Sequence, residues 1–291
     1  MITEKTIDAC KNDEIKIAGD PPRPIKKGLM KVPHSISIIG AKGKGKTNCM
    51  VRLFRAYQKA RVPAFDHDNV FIISPTAHLD PKAQLLSSPE ENIYDSTEGL
   101  DMALRDIIEK IEDSLEEYED YQDRMEAWAM FSNWDDPMSL FPADALLKIF
   151  NPVTQEIHKP TTNYIYGRPS SLIILDDQAG TGFLSDNTGN NALTNFIIKS
   201  RHYNTSVWIT SQHYKNIGRA IRGNASFLII FRTQDEKVLD EISREVGGDV
   251  DKKTFKKLYN HATAKPYNFL LIDLANDKHK FRRNFDRVLQ V

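Results

Sequence analysis

The sequence predicts an α/β domain built around a mainly parallel sheet flanked by helices, and three observations carry that prediction. Short, continuous apolar runs recur along the chain, as expected of parallel strands buried on both faces. Helical patterns separate those runs, which calls for crossover connections rather than hairpins. The 291 residues are 40% hydrophobic and 27% charged, a balance that suits a globular core and excludes disorder, collagen and a membrane channel. No run approaches the roughly 18 apolar residues of a spanning helix. Cys10 and Cys49 are the only cysteines, too few for a disulfide framework or a four-ligand zinc site. With an N-terminus that lacks the apolar core of a signal peptide, they predict an intracellular, reducing compartment.

The elements follow in order. Residues 1–34 show no periodicity and include Pro21, Pro22, Pro24 and Pro33; they read as an N-terminal arm. SISII (35–39) is a β-branched strand, followed by a helix over TNCMVRLFRAYQKA (47–60). NVFIIS (69–74) is a second buried strand, closed by Pro75. An acidic insertion is expected over about 77–168. Its core is a helix over 98–131, where Leu100, Leu104, Ile107, Ile108, Ile111, Leu115, Tyr118, Met125 and Trp128 form one apolar stripe. That stripe packs on the core or, as the minor alternative, works as a lever for a partner. Proline-rich residues 132–168 read as irregular. SLIILDD (171–177) is a strand ending in two aspartates, and a Gly- and Asn-rich loop (180–191) leads into a helix over 192–200. SVWITSQ (206–212) and ASFLIIF (225–231) are further strands. A helix over 236–247 stops at Gly247 and Gly248, and NFLLIDL (268–274) is the last strand. The main domain therefore spans 35–275, ahead of a basic C-terminal segment, 276–291.

Net charge −1 hides an uneven distribution. Acids dominate between Glu98 and Glu126; bases dominate from Lys252 to Arg287. Local potential rather than net charge steers a polyanion, so balanced totals leave such a partner open, as they leave two solvated faces of opposite sign. The C-terminal run interleaves Lys278, Lys280, Arg282, Arg283 and Arg287 with Phe281, Phe285, Val288 and Leu289. It reads equally as added DNA affinity or as a segment docking on a neighbour.

The sharpest motif is Gly40-Ala41-Lys42-Gly43-Lys44-Gly45-Lys46-Thr47, which fits G-x-x-x-x-G-K-[ST] without a mismatch. Chance supplies that pattern in a chain of this length about once in 100 sequences or fewer. The glycines let successive N–H groups turn toward phosphate oxygens, and the following helix offers its positive end to the same anion. Lys46 reaches the β- and γ-phosphates of ATP, and the Thr47 hydroxyl serves Mg²⁺. With Asn48, the segment 40–48 is the expected nucleotide contact.

LIILDD supplies the partner chemistry. An acid at the tip of a buried strand beside a P-loop holds magnesium, commonly through water, and Asp176 is assigned that role. Asp177 then orients and deprotonates the attacking water. Gln212, at the tip of the neighbouring strand, contacts the γ-phosphate or that water, coupling hydrolysis to strand motion. Cys49, inside the P-loop helix, reads as core packing, and His202 and His213 lack the spacing of a metal site.

With these elements placed, the chain resembles the FtsK–HerA superfamily of DNA-pumping ATPases. Within it, the chain is most similar to the poxvirus-type genome-packaging ATPases of large DNA viruses and virophages. The resemblance rests on GAKGKGKT, LIILDD, the segment Lys199-Ser-Arg201-His202-Tyr-Asn204, the strand-end Ser-Gln, and Ile221-Arg222-Gly-Asn224-Ala with TQDEKVLDEI. It implies a RecA/FtsK-like P-loop NTPase that hydrolyses ATP with Mg²⁺ and acts as a homo-oligomeric ring, a pentamer or hexamer. ATP would lie between neighbours, with an arginine reaching the next subunit's γ-phosphate: Arg201 first, then Arg222, with Arg219 a further candidate. It also implies double-stranded DNA gripped without base preference, capsid or portal proteins as partners, and work in the host cytoplasm and virion. The membrane and hinge modules of bacterial segregation motors and a terminase-type nuclease are not evident, which favours the compact viral form. Loop 180–191 reads as pore-facing or as a connection. A nucleotide-gated assembly scaffold is the alternative from another class. A small-metabolite kinase ranks last, since the acidic insertion would repel phosphorylated substrates.

Overall fold

The computed structural model describes residues 23–25, 28–76, 83–86, 88–95, 99–135, 141–178, 184, 192–246, 248, 250–275 and 280–290. Side-chain alternation along the strands decides how they are layered. In chain order the elements are β1 (Ser35–Ile39), α1 (Lys46–Gln58), β2 (Val70–Ile73), β3 (Ile93–Tyr94), α2 (Leu100–Ser132), α3 (Ala143–Ile149), β4 (Phe150–Asn151), β5 (Glu156–Ile157) and β6 (Ser171–Leu175). Then come α4 (Ala192–Lys199), β7 (Thr205–Ser211), α5 (Arg219–Gly223), β8 (Phe227–Phe231), α6 (Glu236–Val246), α7 (Lys252–Ala262), β9 (Phe269–Asp273), β10 (Phe281–Arg283) and β11 (Arg287–Val288). One sheet takes the order β11-β10-β9-β8-β1-β7-β6-β2-β3. Pairing is parallel from β3 across to β8 and antiparallel through β9, β10 and β11. The sequence therefore predicts the fold class correctly, a helix-flanked and mainly parallel sheet.

Successive strand residues point to opposite faces. Ile36, Ile38, Ile72, Ile174, Trp208 and Ile229 share one face with Met50, Leu53, Phe54 and Tyr57 of α1. Ile39, Ile73, Ile173, Leu175, Ile209 and Ile230 share the other with residues of α2, α4, α6 and α7. Apolar side chains cover both faces of the sheet, which is why strands such as β2 (VFII) and β8 (FLIIF) read as unbroken apolar runs. The residues preceding β1 close the α1 side, where Met30 and Val32 are buried.

Three regions differ from expectation. The proline-rich stretch after α2 is ordered as α3 and the hairpin β4–β5. Its prolines mark boundaries rather than disorder, since Pro142 sits at the N-cap of α3, where a missing N–H costs little. Ala127, Phe141, Ala145 and Ile149, with Trp128, Phe131 and Trp134, form a small satellite core around the C-terminal half of α2. The N-terminal half buries Leu104, Ile107 and Ile111 on the main sheet, so the acidic helix packs on the core. The lysine-rich stretch after residue 251 is helix α7. Asp251 caps it by accepting from the N–H groups of Lys253 at 2.8 Å and Thr254 at 3.1 Å, while Phe255, Leu258 and Tyr259 face inward. Finally, Phe281 is buried and Phe285 packs edge-on to Phe269 at 5.0 Å, so these aromatics dock on their own sheet. No helix among the described residues is long and apolar enough to cross a membrane.

The α1 face holds a buried aromatic group of His34, Tyr57, Phe65, Trp208 and Phe227. Trp208 Nε1, which can only donate, hydrogen-bonds His34 Nε2 at 3.0 Å. His34 therefore carries its proton on Nδ1 and donates to the Lys31 carbonyl at 2.8 Å. Burial lowers its pKa from 6.5 to about 4. The unfolded chain thus binds this proton more readily, and stability is present above pH 6.5 and falls as pH drops toward 4. Denaturant titrations should show His34 contributing a loss of up to about 3 kcal/mol across that window. In His34→Gln the slope of stability against pH between 6.5 and 4.5 should flatten.

Candidate active site

The parallel strands end together, and the chemistry gathers at that edge. Registers pair Ile38 with Thr210 and Ile174 with Trp208, so Asp176, two residues on, meets Thr210. Gly40 leaves β1 with its N–H bonded to the Ser211 carbonyl at 3.0 Å. By strand alternation Trp208, Thr210 and Gln212 share the face covered by α1, and so do Ile174 and Asp176. Lys46 opens α1 on the same face. Residues far apart in sequence converge because β7 lies between β1 and β6.

Their contacts form one continuous series. Gln212 Nε2 donates to Asp177 Oδ1 at 3.0 Å. The Asp177 N–H donates to Thr210 Oγ1 at 3.0 Å, and that hydroxyl donates to Asp176 Oδ1 at 2.5 Å. Asp177 takes φ 51°, a left-handed turn that aspartate tolerates better than most residues. Behind it, the buried Gln178 amide donates to the carbonyls of Ile73 and Asp176.

The loop before α1 has the backbone an anion requires. Gly43 and Gly45 lie at φ 77° and 102°, where a side chain is strained. At Gly40 a Cβ would fall 2.9 Å from Phe231 Cβ, so the loop also needs glycine for close packing. The first turn of α1 carries no acid and no side-chain cap, leaving its N–H donors for a ligand. Lys46 Nζ donates to the Gly40 carbonyl at 2.8 Å, closing the loop on itself. Burial lowers the Lys46 pKa, opposed by Asp177 and then Asp176. A half-buried cation beside this loop suits an anion, and the two acids nearby work against one. The donor set also suits magnesium: Thr47 and Asp176 offer hard oxygen ligands. No cluster of three or more His, Cys, Asp or Glu able to hold a metal exists among the described residues. Magnesium is commonly bound this way, by one or two protein ligands and the substrate's phosphates.

Other expected residues sit elsewhere. Arg201 is exposed and precedes β7. It lines a cleft of about 290 Å³ with His34, Ser35, Asn224 and Ser226, at the edge opposite the P-loop and roughly 20 Å away along β7. Arg222, also expected to act on a neighbour, is engaged within its own chain. It is 9% exposed, pairs with Glu245 at 2.9 Å, donates to the carbonyls of Tyr214 and Ile217, and covers the Tyr214 ring at 4.3 Å. That guanidinium ties α5 to α6. Arg219 is exposed at the start of α5. Cys49 is buried and its thiol pushed up by burial, as core packing predicts, while His202 and His213 are exposed. Gly180, Gly182, Gly189, Asn190 and Asn191 lie outside the described residues, as do 1–22 of the arm and Lys278.

Sequence reading missed Thr210 and Gln178. The signal for Thr210 was available: a hydroxyl inside a buried strand, two residues before Gln212, shares its face and demands a partner. Gln178 carries no comparable mark.

The two arginines separate in their effect on stability. Arg222→Ala should cost about 3 kcal/mol in chemical denaturation, because Glu245 and two carbonyls lose a buried partner. Arg201→Ala, at an exposed site, should change stability by no more than about 0.5 kcal/mol.

No family model matches the sequence, and a comparison with curated proteins finds no match. Solved structures do match. The genome-packaging NTPase B204 of Sulfolobus turreted icosahedral virus 2, in complex with AMP, aligns with a TM-score of 0.52 and 14% identity, covering 89% of this chain and 100% of that one. Its complex with AMPPCP gives 0.51 and 14%, covering 88% and 98%. B204, the DNA-packaging ATPase of Sulfolobus turreted icosahedral virus, gives 0.50 and 15%, covering 90% and 100%. Over nearly its whole length, then, this chain shares the fold of B204, a likeness its motifs predict.

Proposed function

We propose that the chain is an ATPase that drives sequence-independent movement of double-stranded DNA into a virion, working as a homo-oligomeric ring. One observation carries the reading: the Gln212–Asp177–Thr210–Asp176 series meets the P-loop lysine at a single sheet edge. The fold shared with B204, a genome-packaging NTPase solved in complex with AMP and with AMPPCP, supports it.

The chemistry follows from the chain's own groups. N–H donors of residues 41–48 bind the phosphates, and Lys46 exchanges the Gly40 carbonyl for β- and γ-phosphate oxygens. Thr47 and Asp176 would hold magnesium, which supplies positive charge for those oxygens. Asp177 accepts a proton from water as the water oxygen bonds to the γ-phosphorus and the bond to ADP breaks. Gln212 holds that carboxylate in position, or turns to the γ-phosphate, and so links the nucleotide state to β7. Thr210 acts through both aspartates as a positioning residue. Arg201 lies too far from its own P-loop to serve it; a second subunit's P-loop is its destination, and that requirement favours a ring. DNA held through its phosphates suits a task indifferent to sequence, and the exposed lysines of α7, Lys253 and Lys257, are candidates for such contacts. In this reading the protein works at the assembly site in the host cytoplasm, against a capsid or portal protein.

Steady-state ATP hydrolysis with and without long double-stranded DNA tests the proposal. DNA should stimulate turnover, and the stimulation should vanish in Lys46→Ala and Asp177→Asn. ATP binding without turnover by an assembled sample, with or without DNA, would favour the nucleotide-gated scaffold instead. Thr210→Val should leave ATP affinity within about threefold and lower turnover roughly 10- to 100-fold, the usual cost of removing a residue that orients a metal ligand.

A further inference from the structure

A second concave site adjoins the P-loop on its other flank. Asp176, Asp177 and Gln212 all lie on the β7–β6 side of β1. Across the loop, on the β8 side, a cleft of about 410 Å³ opens between the loop and the α7–β9 connection, lined by Gly43, Lys44, Phe231, Arg232, Pro266 and Tyr267. Its size falls in the range of small-molecule sites, about 300–1,000 Å³.

Tyr267 is the unusual residue of this cleft. Its ring rests on the P-loop backbone, with Cδ1 3.1 Å from the position a Cβ on Gly45 would take. It is nevertheless 68% exposed, so an aromatic surface stands open beside the anion loop. Its backbone has φ 63°, an outlier for a bulky residue, and such strain persists mainly at ligand sites and switches.

We propose that this cleft holds the base of the nucleotide, a purine stacked on the Tyr267 ring. The inference rests on the nucleotide reading above and extends it to the other end of the ligand. A triphosphate whose γ end meets Asp177 and Gln212 runs along the loop and leaves it on the β8 side. Its nucleoside then arrives at Tyr267. Lys44 and Arg232 add positive charge along that path. Every base presents a π-face, so a ring and a shaped wall suffice for stacking without hydrogen bonds to the base edge.

Calorimetric titration of the full chain with AMPPCP and with inorganic tripolyphosphate, each with magnesium, tests the assignment. Tyr267→Ala should weaken AMPPCP roughly 10-fold and leave tripolyphosphate unchanged, while Tyr267→Phe should hold both within about twofold. Unchanged AMPPCP affinity in Tyr267→Ala overturns the proposal. So does equal weakening of both ligands, which would make the ring a support for the loop. Tripolyphosphate binding that is lost in Lys46→Ala keeps the nucleotide reading intact whatever Tyr267 does. A wild-type protein that binds neither ligand removes that reading, and this one with it.

Discussion

The pairing of β7 between β1 and β6 is the constraint on which the rest depends. Every residue of that strand is buried, and it pairs with a parallel neighbour on each edge. A parallel arrangement brings the C-terminal ends of the strands to one edge, and only there do consecutive backbones diverge and leave room for a ligand. Moving β7 by one residue would send Thr210 and Gln212 to the helix-rich face and leave Asp176 without its hydroxyl. Trp208 guards against that slip. A ring of that size, hydrogen-bonded to His34 and packed against Tyr57 and Phe65, fits on only one side of the sheet.

Polar residues inside the strands serve the same end. Ser206 Oγ accepts the His34 N–H at 3.0 Å, and Ser35 Oγ donates to the Asn224 carbonyl at 2.7 Å. Both lie at the N-terminal edge, opposite the site. They hold β7, β1 and the approach to β8 in register with directional bonds, where apolar contacts alone would tolerate sliding. Each costs desolvation and is retained because its bond offsets that cost. The result is a sheet pinned at one edge and chemically equipped at the other.

Legibility in the sequence tracks how local each constraint is. The strands were readable because burial on both faces favours short runs rich in apolar residues, and the P-loop because its glycines and lysine lie within one segment. Asp176, Asp177 and Gln212 were readable as strand tips. Thr210 was not, because its role depends on which strands are neighbours, and topology is not written in any one segment. The surroundings of Arg222 were hidden for a related reason. Its position after the glutamine strand resembles that of a motor arginine, yet Glu245, 23 residues on, takes it up once α6 folds back. The α7 lysines looked like a charge run because the inward residues Phe255, Leu258 and Tyr259 are spaced among them at helical intervals. The stretch 132–168 was read as irregular from its prolines, yet it holds α3 and the β4–β5 hairpin.

The site's groups satisfy one another: Lys46 holds the Gly40 carbonyl and Gln212 holds Asp177. Ligand binding is therefore an exchange of hydrogen bonds, and its net gain must come from charge. Lys46 supplies part of it, since burial has already made its charge costly and a phosphate relieves that cost. The same anion works against the two aspartates at the strand tips. Carboxylates and a triphosphate at one edge repel, and in a partly buried setting that repulsion is weakly screened. In the proposed reading a divalent cation would offset that repulsion, with Asp176 among the residues that would hold it. Asp177 instead accepts from the Gln212 amide. Two adjacent aspartates thus have different surroundings: one carboxylate is tied to the Thr210 hydroxyl and the other, turned by its left-handed φ, is tied to Gln212.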